Sequence, residues 1–235
     1  MYNMLIFHQL FESQSSTYTY LLADPLSREA VLIDPVYEMV DRDLGLIQDL
    51  NLNLKYILDT HIHADHITGA SELRKRTGAK TAVSKNAKLD CVDIELEDGS
   101  EINFGTFKIK ALETPGHTDS CLSYYSEGRV FTGDALLIRG SGRTDFQGGS
   151  SEKLYQSVTE KLFQLPPETL VYPAHDYKGF TVSTIKMETE HNPRLGKNKS
   201  QAEFIQMMAD LKLAYPKKID EALPANRACG QIKNH

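Results

Sequence analysis

Short apolar runs broken by turns fill the first part of the chain. Thr17 to Ala23 (T-Y-T-Y-L-L-A) and Ala30 to Asp34 (A-V-L-I-D) predict strands on either side of a D-P-L-S-R turn. Val40, Leu44, Ile47 and Leu50 recur at helical spacing and predict a helix from Val40 to Leu50. Lys55 to Leu58 predicts a buried strand that runs straight into D-T-H-I-H-A-D-H, and Ile67 to Thr77 predicts a helix stopped by Gly78. Further strands are expected at 80–83, 101–104, 107–112, 122–125 and 130–132. Leu154, Val158, Leu162 and Leu165 then mark an amphipathic helix over Glu152 to Leu165, closed by Pro166-Pro167. A strand at 170–172 and helices at 184–190 and 201–213 follow, and periodicity fades from Pro216 onward. No linker separates two cores. The pattern predicts one domain, residues 1–235, with two strand-rich halves flanked by helices: an α/β protein built as a four-layer αββα sandwich.

Composition narrows the class. The chain has 235 residues, 40% hydrophobic and 25% charged, as ordinary soluble globular proteins do. No apolar run approaches the ~18 residues of a membrane span. The opening M-Y-N-M-L-I-F-H is too short for the core of a secretion signal, so a cytoplasmic chain is expected, or a mitochondrial matrix one if a transit peptide has been removed. A net charge of −6 argues against nucleic acid or an anionic membrane as the partner. Cys91, Cys121 and Cys229 are odd in number and lack C-x-x-C spacing. They predict neither a disulfide framework nor a thiolate zinc site, but small core or surface residues in a reducing compartment.

Histidine changes the picture. Of 8 in the chain, His61, His63 and His66 share one short string with Asp65. Alternation puts His61 and His63 on one side of an extended segment, and Asp65 and His66 are expected at the start of the next helix. Crowding that many imidazoles together is costly unless a metal organises them. Three more candidates repeat one grammar of apolar strand, turn and ligand: His117 in T-P-G-H-T, Asp134 in F-T-G-D-A and His175 in Y-P-A-H-D-Y. Read this way, the residues could hold one or two borderline ions such as zinc or iron.

In that order, H-I-H-A-D-H, T-P-G-H-T, G-D and P-A-H resemble the metallo-β-lactamase superfamily, which implies the αββα sandwich. That fold hosts hydrolases, nucleases and redox enzymes, so the reaction needs a finer signal. L-L-I-R-G-S-G-R-T-D-F-Q, Y-P-A-H-D-Y-K-G-F-T-V-S-T, H-N-P-R-L and P-A-N-R-A-C-G are similar to the persulfide dioxygenases, the sulfur dioxygenases of the ethylmalonic encephalopathy protein type. One departure is Ser141, where the family commonly has cysteine.

The resemblance implies one Fe(II) per chain, held by His61, His117 and Asp134 as a two-histidine, one-carboxylate facial triad. His63, Asp65, His66 and His175 would then orient ligands and water, or hold a second ion. The implied reaction takes glutathione persulfide, O₂ and water to sulfite and glutathione. Arg143 and Tyr177 match positions that contact glutathione in related thioester hydrolases, although Asp145 could instead pin Arg143. Arg139 and Arg194 are expected to tie loops to buried carboxylates or carbonyls. Many family members are homodimers. The competing reading is a glyoxalase II-like hydroxyacylglutathione hydrolase with two metals, which normally carries a basic helical substrate module that the roughly 60 residues after His175 do not suggest.

Overall fold

The computed structural model describes residues 4–231. Strands β1 (Ile6–Glu12), β2 (Thr17–Ala23) and β3 (Glu29–Ile33) lead to helix α1 (Val40–Asp49), then β4 (Asn53–Leu58), α2 (Ala70–Thr77), β5 (Lys80–Ser84) and β6 (Ile94–Leu96). These six strands form a mixed sheet in sequential order, antiparallel through β1–β2–β3 and parallel through β3–β4–β5–β6. Next come β7 (Glu101–Phe104), β8 (Phe107–Glu113), β9 (Leu122–Ser126), β10 (Arg129–Gly133), α3 (Ser151–Gln156), β11 (Leu170–Pro173), β12 (Ser183–Thr184), α4 (Ile185–His191), α5 (Gln201–Asp210) and α6 (Ile219–Arg227). The second sheet runs β12-β11-β10-β9-β8-β7, and it too is mixed, because β10 and β11 are parallel.

Contacts group the chain into two compact units. The first takes the chain up to Leu96, Glu101–Ile109 and the chain from Pro216; the second takes Glu97–Ser100 and Lys110–Tyr215. In the first, Leu21, Leu32 and Ile57 of the sheet pack with Val40, Leu44 and Ile47 of α1 and Leu73 of α2. In the second, Val130 and Val171 of the sheet pack with Leu154, Val158, Leu162, Ile185 and Phe204. The helical spacing read from sequence thus falls on buried faces, each removing apolar surface from water.

Two elements here, and the cysteines, depart from expectation. The helix predicted over Glu152 to Leu165 ends as α-helix at Gln156, continues as a π turn through Ser157–Lys161 and tightens into a 3₁₀ turn at Leu162–Gln164. Within it the Thr159 hydroxyl donates to Tyr155 O at 2.8 Å, a bond that bends helices, and the Ser157 hydroxyl donates to Pro115 O at 2.7 Å. Helix α6 lies where periodicity had faded, and Pro224 inside it disguises it, since proline reads as a breaker. The cysteine reading is corrected as well: Cys91 and Cys229 form a disulfide across 138 residues of sequence. Only Cys121 is free among the described residues, and burial pushes its thiol up to about 12, so it is inert.

Helix α1 also buries a carboxylate. Asp43 is fully buried, and Oδ1 accepts from Arg42 Nε at 2.8 Å while Oδ2 has no hydrogen-bond partner. Burial pushes its pKa up to about 6, against the pull of Arg42. The native state therefore holds this proton more tightly than the unfolded chain, so stability falls as pH rises between about 4 and 6. Asp43→Asn removes that slope. Relative to wild type it should gain about 3 kcal/mol between pH 4 and 7, read from urea unfolding at both pH values. A difference curve that stays flat across this range would contradict the buried-charge account.

Candidate metal centre

Asp59 follows strand β4 and opens the histidine loop. The helix expected at Ile67 begins only at Ala70, so Asp65 and His66 lie in the loop and not at a helix start. Backbone groups explain the delay. Ile67 O accepts from Tyr37 N at 2.9 Å, and Gly69 N donates to Pro35 O at 2.8 Å. Thr68 N donates to Asn226 Oδ1 at 2.9 Å. These peptide groups are bound outside the helix and cannot extend it backwards. Gly69 is required here, because a Cβ would sit 2.9 Å from Val40 Cγ2.

Asp34, at the end of β3, is the hub of the loop. It accepts from Thr60 N at 2.7 Å, from the Thr60 hydroxyl at 2.9 Å and from His63 Nε2 at 3.1 Å. With its proton given to Asp34, the Thr60 hydroxyl oxygen accepts from His61 Nδ1 at 3.0 Å. That chain sets the tautomer of His61 and leaves its Nε2 carrying a lone pair. His63 is fixed the opposite way: Nε2 faces Asp34, while the buried Nδ1 has no hydrogen-bond partner and lies 4.0 Å from Asp65 Oδ1. Burial pulls the pKa of His63 down, but Asp34, Asp65 and Asp59 outweigh it and raise it to about 9. His66 Nδ1 donates to Asp65 Oδ2 at 2.9 Å. His63, Asp65 and His66 can each turn one ligand atom toward a common point, with those atoms within 4.8 Å of one another.

Asp34 and Asp59 were missed as site residues. Each directly follows an apolar strand, so part of the signal was present, without the turn that precedes the other candidates. Asp59 is pushed up to about 7 chiefly by burial, and the Thr68 hydroxyl donates to both of its oxygens at 3.0 Å.

The second unit presents His117, Asp134 and His175, each at a strand end. Gly116 has a φ of +140°, and a Cβ there would meet the Leu154 backbone at 2.3 Å. This close approach to α3 sets the turn that presents His117. The ring Nδ1 donates to Arg143 O at 2.7 Å, since a carbonyl can only accept. Gly142 allows that contact, because a Cβ would lie 2.9 Å from His117 Nδ1. Nε2 of His117 is then a lone pair, and it faces Asp134 Oδ2 at 3.5 Å. Asp134 Oδ1 is buried, has no hydrogen-bond partner and lies 3.7 Å from His175 Nε2. Two acceptors facing each other at side chains only 10% and 14% exposed call for a cation between them.

The family model for the metallo-β-lactamase superfamily matches residues 14–175. The human mitochondrial persulfide dioxygenase ETHE1 is 50% identical over 229 residues, covering 96% of this chain and 89% of that protein. The chain belongs to the persulfide dioxygenase branch of the metallo-β-lactamase superfamily. A crystal structure of ETHE1 from Myxococcus xanthus superposes with a TM-score of 0.94 at 55% identity, covering 96% of this chain and all of that one (100%). Glyoxylase B2 of Dictyostelium discoideum is more distant, 29% identical over 94% of this chain and 89% of that protein. The expected αββα fold class is therefore that of the family, and both mixed sheets are present.

The flanking predictions divide. Arg139 binds the buried Glu188 through its backbone N and its NH1, both at 2.9 Å, and Arg194 NH1 donates to Ser141 O at 2.9 Å, so both arginines tie loops as expected. Ser141 is buried, with its hydroxyl donating to Gly142 O at 3.2 Å. Arg143 grips Asp145 with a two-point fork of 2.6 and 2.7 Å, donates to Ala214 O at 2.8 Å and stacks over Phe146. Tyr177 is 71% exposed and stacked beside His175 at 6.1 Å. Among the described residues, no helix is long and apolar enough to cross a membrane.

Proposed function

We propose that this chain is a glutathione persulfide dioxygenase whose single Fe(II) is held by His61, His117 and Asp134. The observation that carries the reading is the donor chemistry around His117. Its Nδ1 proton is committed to Arg143 O, and its Nε2 lies 3.5 Å from Oδ2 of Asp134, whose other oxygen, Oδ1, is buried without a hydrogen-bond partner. Half-identity to persulfide dioxygenases along nearly the whole chain supports the reaction class. Bound Fe(II) would supply the redox chemistry that adds both atoms of O₂ to the outer sulfur of the persulfide. With water, glutathione persulfide becomes glutathione, sulfite and two protons.

The chain's own residues orient and bind. Asp34 and Thr60 aim His61, and the Arg143 carbonyl aims His117. His175 lies 3.7 Å from the second oxygen of Asp134. A three-ligand set leaves coordination room for both the substrate sulfur and O₂. Tyr177, exposed beside His175, is the proposed glutathione contact. Arg143 serves as a second one only through the donors that Asp145 and Ala214 leave over. A cytoplasmic or mitochondrial matrix placement and the homodimer stay part of this reading.

One observation favours a second ion: His63, Asp65 and His66 form a ligand group of their own. Metal analysis combined with O₂ uptake separates the readings. One iron per chain, with O₂ consumed in step with sulfite formed from glutathione persulfide, is the expected result. Two metals per chain with cleavage of a glutathione thioester and no O₂ uptake would replace it with the dinuclear hydrolase.

A further inference from the structure

Asn226 lies in α6, far along the sequence from the histidine loop, and only 2% of it is exposed. Its amide meets the loop at three backbone groups. Nδ2 donates to His63 O at 2.9 Å and to His66 O at 2.8 Å, while Oδ1 accepts from Thr68 N at 2.9 Å. Only an amide side chain offers two donors and an acceptor on one short stem. The loop carries its imidazoles on a backbone with no helix or strand of its own, so those three bonds replace the ladder that regular structure would provide.

Two neighbouring features hold Asn226 in place. The Cys229–Cys91 disulfide anchors the segment just after α6. Gly230 then passes so close to the loop that a Cβ would meet Thr68 O at 2.5 Å. The space left between Asp59, His61, His63, Thr68 and Asn226 is about 10 Å³, at the lower edge of what one water fills. The loop therefore has little room to settle elsewhere.

We propose that Asn226 is the positioning residue of the histidine loop: it holds the backbone at His63, His66 and Thr68 and thereby sets where the loop presents His61 to a metal ion. It touches neither metal nor substrate. This rests on the reading that His61 is a metal ligand.

The test uses the full-length protein and Co(II) as the probe, with affinity measured by chelator competition and geometry by the visible absorption of the bound ion. Asn226→Asp is isosteric and keeps an acceptor for Thr68 N, but it turns a carboxylate toward two carbonyls. Asn226→Gln keeps the amide chemistry on a longer stem and serves if the aspartate variant fails to fold. Either should bind Co(II) about 10- to 100-fold more weakly, with an altered absorption band, and lose kcat more than KM. Leu162→Ala, in the core of the second unit, is the control. It should lower Tm yet leave Co(II) affinity and band shape as in wild type. Co(II) affinity within about twofold of wild type in folded Asn226 variants overturns the proposal, and so does an affinity that merely follows Tm in the Leu162→Ala control. Wild-type protein that binds Co(II) but, with iron, consumes no O₂ on glutathione persulfide sinks the proposed function alone, and the Asn226 comparison still stands.

Discussion

His117→Ala should give a folded protein that holds no iron and consumes no O₂. Removing this imidazole leaves His61 and Asp134 as the only proposed ligands, too few to keep Fe(II) from the solvent. The effect on stability should be small by comparison. His117 lies at the edge of burial, and its bond from Nδ1 to Arg143 O at 2.7 Å is a side chain-to-backbone contact worth about 1 kcal/mol. Iron content, O₂ uptake and Tm on the same preparation test this together. Iron at one per chain in the variant would falsify the ligand assignment. A collapse in Tm would instead show that His117 serves the fold.

Asp34→Ala should damage both fold and site. The carboxylate accepts three hydrogen bonds, and its loss strands Thr60 N, the Thr60 hydroxyl and His63 Nε2 in a buried place. Removing one partner of a buried pair costs about 3–5 kcal/mol, because the other is left unpaired. In a chain of this size that should lower Tm by roughly 10 °C. The same change frees His61 Nδ1 from its fixed tautomer, since the Thr60 hydroxyl loses the acceptor for its own proton. Metal affinity should therefore fall further than stability alone explains. Asp34→Asn is the informative companion, as it keeps one acceptor oxygen and should recover part of the Tm. If Asp34→Ala melts within about 2 °C of wild type, the hub role is wrong.

The histidine loop was legible because its chemistry is local: four ligand-type residues within one short string need no long-range information. His117, Asp134 and His175 were legible through a repeated grammar, each following an apolar strand and a turn. Asp34 and Asp59 follow their apolar strands directly, with no turn between, and escaped because a single aspartate after a strand also reads as a turn residue. Asn226 had no such signal. Its partners are peptide groups, which are alike at every position, and the nearest of them lies 158 residues away. The start of α2 shifted for a related reason, as the peptide groups before it are bound by residues 35–37 and 226. Cysteine counting failed because an odd number hides a pair, and the two partners lie 138 residues apart. The split helix after Ser150 kept its apolar spacing while changing its turn, so periodicity alone could not reveal the π segment.

The disulfide makes the protein a lasso. Cys91 and Cys229 close a covalent ring that contains His117, Asp134 and His175, while His61, His63 and His66 sit on the open tail before it. A single protease cut anywhere between residues 91 and 229 opens the ring without releasing a fragment. The nicked protein runs as one species on a denaturing gel until a reductant is added, and then separates into two. The covalent link between the two ends survives the loss of any one peptide bond in the stretch that the disulfide encloses.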